Sequence, residues 1–417
     1  MAAMQRQVLA QYEQGVLADR LGFDYYFLTE HHFQPEGAEF SPNPLMLQAA
    51  LAVNTRRIRL GQMANILPWH HPVRIAEQAA TLDILSGGRL EFGIGRGYQA
   101  REAEVLGRPY GAGIQDQEAN RAMFEEAYEI VLKCFTEKSL SHRGEFFSIP
   151  PSYLTWHHAQ TIAYFSQEGV GRTVDQVLNL GVETGGPGVQ SGSTTLREIT
   201  VAPQPLQKPY PQMWMPMTSK RSAQWAAAHG VNGIYAAAPT RSLQKEIDTY
   251  FDAAEKAGWV DRFGDGKPLK RGWDAERKRG VAAVRMVHTV HGELGNAERY
   301  HQGANLYFNY MQPFGFLGAI LTGIDDAAVP SGEDLADAGL QLVGSPDLIL
   351  DSIDRMKTAG GFEDLFIVLN FDAHSLSNQE VMDQMQFFAE DIMPVLHKEY
   401  GRKPQDEPAL TPPPLSI

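Results

Sequence analysis

A chain of 417 residues with 43% hydrophobic and 21% charged side chains has ordinary globular composition, which excludes collagen-like and mainly disordered classes. Fifty acidic residues against 36 basic ones give a net charge of -14, and no Lys/Arg cluster is present to grip a phosphate backbone, so nucleic acid is not an expected partner. No apolar run approaches the roughly 20 residues of a membrane-spanning helix, the opening MAAMQRQVLAQYEQ reads as no leader, and the lone Cys134 excludes an internal disulfide framework and fits a reducing cytoplasm.

In chain order, Val8, Leu9, Tyr12, Val16, Leu17 and Leu21 fall at helical spacing and Gly22 stops them. YYFLT at 25–29 reads as a strand that ends in Glu30, His31 and His32. A helix over 45–53 leads to a strand over 58–63, a helix opening at Pro72 and closing at Gly87-Gly88, and a strand over 90–94. The loop Gly95-Arg96-Gly97 and a helix over 119–135 follow. From 150 to 196 the rhythm breaks in an inserted excursion that holds Trp156, His157 and His158 and then a glycine-rich stretch. It resumes with strands over 213–217, 232–237, 281–288 and 365–371 and helices over 221–229, 243–257 and 346–359, with an aromatic-rich region over 300–321. The alternation predicts one α/β domain over residues 1–400, a parallel sheet covered by helices, and residues 401–417 as a loose tail. Seven strands are one short of a closed (β/α)8 barrel, and the absent one is the first, which predicts either a truncated start or a gap in the barrel.

In such a barrel, polar residues just after each strand are the candidates for chemistry. Histidine pairs at 31/32, 70/71 and 157/158 are immediate neighbours, and no H-x-H or H-E-x-x-H occurs, so no metal is expected. His31 suits proton transfer near neutral pH, against the alternative of a hydrogen-bonded structural histidine. RLEFGIGRGYQ is a poor dinucleotide fingerprint, because Gly93, Gly95 and Gly97 lack the helix-packing glycine in register, and one or two of them serve a tight turn. Arg96 remains as a cation at the barrel mouth. In QMWMPMTSKRSAQW, Thr218, Ser219 and Ser222 precede or open a helix; N-capping needs only one of them, so the segment reads as a phosphate site. Glu30, His71, Tyr307 and Phe314 are candidate substrate contacts, with Trp156 as part of a lid, although core packing accounts for many of the aromatic side chains.

GFDYYFLTEHHF, IRLGQMANILPWHHPVRIAEQAATLDILSGGRLEFGIGRGYQAREAEVLG, ITVAPQPLQKPYPQMWMPMTSKRSAQWAAAHG and LVGSPDLILDSIDRMKTAGGFEDLFIVLNF together resemble the bacterial luciferase-like flavin-dependent monooxygenases. The resemblance implies a (β/α)8 TIM barrel, here with its first strand missing and an insertion before the fifth, that binds reduced FMN supplied by a separate NAD(P)H:flavin reductase. It implies that O2 is used, through a flavin hydroperoxide, to oxidise a small organic molecule, and that the protein is a homodimer. By the same resemblance His31 is the active-site acid or base, and Arg96 with Ser219 and Ser222 meets the FMN phosphate. Met63-Ala64 is placed at a non-proline cis peptide beneath the flavin, with Asn65 close by; Tyr98 and Thr218, which follow strands, are further candidate cofactor contacts. The excursion argues against transferring an aldehyde substrate or light emission. Two alternatives stand beside this reading: a hydride-transferring oxidoreductase of the same superfamily that uses a deazaflavin, and a non-catalytic flavin-binding protein.

Overall fold

Helix α1 (Ala2–Leu21) ends where Gly22 takes a φ of +88° and turns the chain into β1 (Tyr25–Leu28), a run of aromatic residues suited to a half-buried strand. The computed structural model describes residues 2–34, 39–108, 111, 113, 115–155, 167, 178–179, 195–236, 238–291, 297–311, 332–372 and 375–400. The succession continues with α2 (Pro44–Asn54), β2 (Arg59–Gln62), α3 (Pro72–Leu85), β3 (Leu90–Gly95), α4 (Gln117–Thr136), β4 (Gln212–Pro216), α5 (Lys220–Ala228) and β5 (Asn232–Tyr235). It is completed by α6 (Leu243–Lys256), β6 (Arg279–Thr289), α7 (Ala297–Met311), β7 (Gln341–Gly344), α8 (Pro346–Gly360), β8 (Ile367–Asn370) and α9 (Asn378–Phe387). Local chemistry sets the helix starts: Pro44, Pro72 and Pro346 fill first-turn positions where no N–H is needed, and Asn43 and Ser345 accept the orphan amides of Met46 and Leu348.

Strands β1 to β6 pair in chain order, all parallel. Strand β6 is long enough to carry two further partners, β8 along Ala283–Met286 and β7 along Met286–Thr289. The Ala283 amide donates to Phe366 (3.1 Å) and that of Met286 to Leu340 (3.0 Å). Because amides alternate sides along a strand, β7 extends the β5 flank and β8 takes the other. The barrel row is therefore β1 to β6 followed by β8, with β7 an extra strand that periodicity did not reveal. Among the described residues no ladder joins β8 back to β1, so the curled parallel sheet stays open at the place where the expected strand count was short. The architecture is an open α/β barrel of the TIM type.

The interior is filled by Trp214, Ile234, Trp273, Ala282 and Phe366, with Trp214 and Trp273 stacked at 5.3 Å. Burying a side chain such as Ile234 or Phe366 contributes roughly 1.5–3 kcal/mol. Across the open edge the backbones do not pair, but the rings of Tyr25 and Phe366 meet at 4.6 Å. Outside the gap α1 and α9 lie together, with Gln14 donating to Asn378 (2.9 Å) and Phe23 edge-on to Phe371 (5.9 Å). Cys134 is buried on α4, and burial pushes its thiol up to about 12, so it is a packing group. No described helix is long and apolar enough to cross a membrane. Within the excursion only short pieces are described, such as Leu178–Asn179 pairing antiparallel with Thr195–Leu196. Trp156, His157, His158, Phe314 and the tail from 401 lie outside the described residues.

Candidate active site

At the C-terminal mouth of the strands a cavity of about 820 Å³ opens, lined by His31, Met63, Ala64, Arg96, Tyr98, Thr218, Ser219, Ser222 and Tyr307. It runs down between the edges of β1 and β8, past Tyr25, Phe27, Ile367 and Leu369, to the underside of α1. The Met63-Ala64 peptide is cis. Beside it, β3 comes in close because it carries glycine where a side chain would not fit. A Cβ on Gly93 would collide with the Gln62 carbonyl oxygen, and one on Gly95 would stand 3.0 Å from the Ile66 side chain. Of the three loop glycines only Gly97 has a positive φ, at +74°.

One flank of the mouth is cationic. Arg96 donates to the side chain of Asn120 (3.2 Å), whose amide donates back to the Arg96 carbonyl (3.3 Å). Burial, together with the nearby charges of Arg121 and Arg221, lowers the Arg96 guanidinium from its usual value; Arg121 is lowered by burial and by Arg221. Arg221 is paired with the exposed Glu118 (2.7 and 3.0 Å), whereas the buried Nε of Arg121 has no hydrogen-bond partner among the described residues. Glu118 and Glu125 offset part of the repulsion among the three guanidiniums, and Arg96, which lines the cavity, is the one placed to meet an anion there. The neighbouring start of α5 corrects the expectation that one cap suffices. Ser219 and Ser222 form a reciprocal capping box, Ser222 N–H donating to Ser219 Oγ (3.2 Å) and Ser219 N–H to Ser222 Oγ (3.1 Å), so both hydroxyls are engaged. By helix geometry the orphan donors of that turn are the backbone amides of Lys220 and Arg221.

The opposite flank is acidic and holds His31. Its Nδ1 lies 3.3 Å from Glu102, which is fully buried, and its Nε2 lies 3.4 Å from Glu39. Burial lowers an imidazole, but Glu39, Glu102 and Glu30 outweigh it and raise His31 above its usual value. Glu39 in turn accepts hydrogen bonds from the hydroxyls of Tyr98 (2.9 Å) and Tyr307 (2.7 Å), both held well above the ordinary phenol range by burial and by Glu39 itself. Glu30 lines the cavity but is committed to scaffolding: it accepts from the Ile66 amide (2.6 Å) and meets His70 (2.7 Å) and His32 (3.3 Å). Burial alone would raise its carboxyl, yet these hydrogen bonds hold it at about 2.

Two expected contacts are placed elsewhere. Asn65 is buried and donates to Gln62 and to the Gly93 carbonyl (2.9 Å each), tying β2 to β3 rather than lining the cavity. His71 precedes α3 and packs edge-on against Phe147 at 5.5 Å, outside the cavity lining. Glu39, Glu102 and Arg121 were not legible from the sequence. The first lies in a loop without periodicity, and the other two are single charged residues in helical segments, whose partners lie far along the chain. Among the described residues no three His, Cys, Asp or Glu side chains are grouped as a metal site requires.

Residues 4–165 match the family described as luciferase-like monooxygenase. Limonene 1,2-monooxygenase of Rhodococcus erythropolis is 26% identical over 389 residues, 92% of this chain and 80% of that protein. The chain spans only 56% and 38% of the length of two curated relatives from Sinorhizobium fredii, at 30% and 34% identity. In fold it is similar to the oxygenating constituent of 3,6-diketocamphane monooxygenase from Pseudomonas putida, solved in complex with FMN (TM-score 0.65, 19% identity, 94% of this chain and 93% of that one). It is likewise similar to an F420-dependent secondary alcohol dehydrogenase (TM-score 0.58, 14% identity, 92% and 94%).

Proposed function

Because this chain belongs to the luciferase-like monooxygenase family, we propose that it is an oxidoreductase that uses reduced FMN and O2 to oxidise a small organic molecule. The observation that carries the reading is the cationic flank: Arg96 and the first turn of α5 line one side of a largely apolar cavity, and Arg121 stands behind Arg96, outside the lining. Arg96, with Thr218 and the capped first turn of α5 at Ser219 and Ser222, would hold the phosphate, and Met63, Ala64 and Gly95 would face the ring system. Bound reduced FMN supplies the two electrons by which one oxygen atom enters the substrate and the other leaves as water. The protein's own residues anchor, exclude water and manage the proton: the pocket wall of Tyr25, Phe27 and Leu369 is apolar, and His31 is the proton-holding group. A separate NAD(P)H:flavin reductase supplies the reduced cofactor, and the active form is a homodimer.

The test supplies chemically reduced FMN and labelled O2 together with candidate substrates. Limonene and a camphane diketone, taken from the relatives' names, are the first probes. The expected result is one labelled oxygen atom in the product. Turnover that proceeds without oxygen and with the deazaflavin F420 in place of FMN would overturn the proposal.

A further inference from the structure

The reading above gives His31 the proton, yet each of its ring nitrogens is opposed by a carboxylate: Nδ1 by Glu102 and Nε2 by Glu39. The two carboxylates differ in access. The Glu102 side chain has no exposed surface and is further held by the amide of His32 (2.5 Å), whereas Glu39 lines the cavity and is 14% exposed. Glu39 is also fixed in place: its backbone has a φ of +54°, its carbonyl accepts from Thr29 (3.3 Å), and each carboxylate oxygen accepts from a different tyrosine hydroxyl. A loop carboxylate held by two tyrosines from separate elements is one whose position matters.

We propose that Glu39 carries the proton between His31 and the cavity, and that His31 acts through it as a positioning residue. The proton leaves imidazolium Nε2, binds Oε2 of Glu39 and passes to a basic oxygen of a molecule in the cavity, no other bond changing; solvent at the mouth restores it. Glu102, buried behind the ring, keeps the imidazole charged and aimed at Glu39. The groups that face His31 are Glu30 and Glu39 from its own loop, Tyr98, Gln99 and Glu102 from the segment after β3, and Tyr307 through Glu39 from α7. The raised imidazole titration agrees with this order.

This inference rests on the proposed function, but its first test does not. Side-chain NMR of the full chain, without cofactor, follows the His31 titration in the wild type, in Glu39→Gln, which cannot carry a proton, and in Tyr307→Phe, which removes one clamp. Wild-type His31 titrates above 6.5; Glu39→Gln moves the midpoint down at least tenfold in proton concentration, and Tyr307→Phe moves it less. A second arm records the pH profile of turnover: Glu39→Gln loses its dependence on the proton donor and Glu39→Asp restores part of it. FMN affinity is measured in each variant, so loss of the cofactor reading is seen separately from loss of the relay. A His31 titration unmoved by Glu39→Gln, or a wild-type pH profile in that variant, overturns the proposal.

Discussion

All six residues of β3 are buried and the strand is paired on both sides, whereas all four residues of β8 are only half-buried and, among the described residues, pair on one. Both strands line the same cavity. The flank built on β3 and β4 carries the cationic cluster, and the flank built on β1 and β8 is an apolar cleft between unpaired edges. The difference teaches a division of labour. On the proposed reading, a constant group such as a phosphate would be met by side chains fixed on a fully paired scaffold, which lowers the ordering cost of binding. An organic substrate in the cleft would be met by edges that can adjust without breaking a ladder.

Substitutions sharpen this contrast, beginning with the largest effect. Gly93→Ala drives a Cβ into the Gln62 carbonyl, and backbone cannot yield as a side chain does. A loss above about 4 kcal/mol is expected by denaturant unfolding. Phe92→Ala, also on β3, costs about 3–5 kcal/mol, against about 1–2 for Leu369→Ala on the half-buried β8; equal costs would erase the distinction.

Acid probes the rim in another way. The Glu30 carboxyl is held at about 2 in the folded state, below its ordinary 4.5. The stability it contributes, about 3 kcal/mol, is therefore present above pH 5 and is lost as pH falls toward 2. Glu30→Gln removes that acid-sensitive part, and an unchanged acid-unfolding midpoint would contradict the assignment. The smallest effect is kinetic. Amides of Phe27 and Leu369, which point into the gap by alternation from the paired Leu28 and Phe366 carbonyls, exchange with solvent faster than those of Phe92 and Ile94.

Much of the barrel was legible because short apolar runs such as YYFL of β1 and IVLN of β8 alternate with amphipathic helices whose ends are marked by Pro, Ser or Gly. The strand Gln341–Gly344 escaped because QLVG has no aromatic residue and leads directly into Ser345, the cap of α8, so it reads as the approach to that helix. Helix α9 did carry a signal that went unread, the capping box of Ser377 with Glu380. At the site, positions at strand ends led to His31, Arg96 and Ser219, but neighbourhood in sequence misled for Asn65 and His71. A strand end names a location, and the direction of the side chain is decided by packing that one chain segment does not encode. Glu39 and Arg121 were hidden for the same reason, since their meaning lies in partners from other segments.

The most direct test of the cofactor anchor compares FMN with riboflavin, which lacks only the phosphate, by binding titration to the wild type and to Arg96→Ala. If the cationic flank holds the phosphate, the wild type prefers FMN and Arg96→Ala weakens FMN roughly 10- to 100-fold, as loss of a charge-assisted hydrogen bond should, while riboflavin affinity stays the same. Equal binding of the two flavins by the wild type, or an equal loss of both in the variant, would contradict the account.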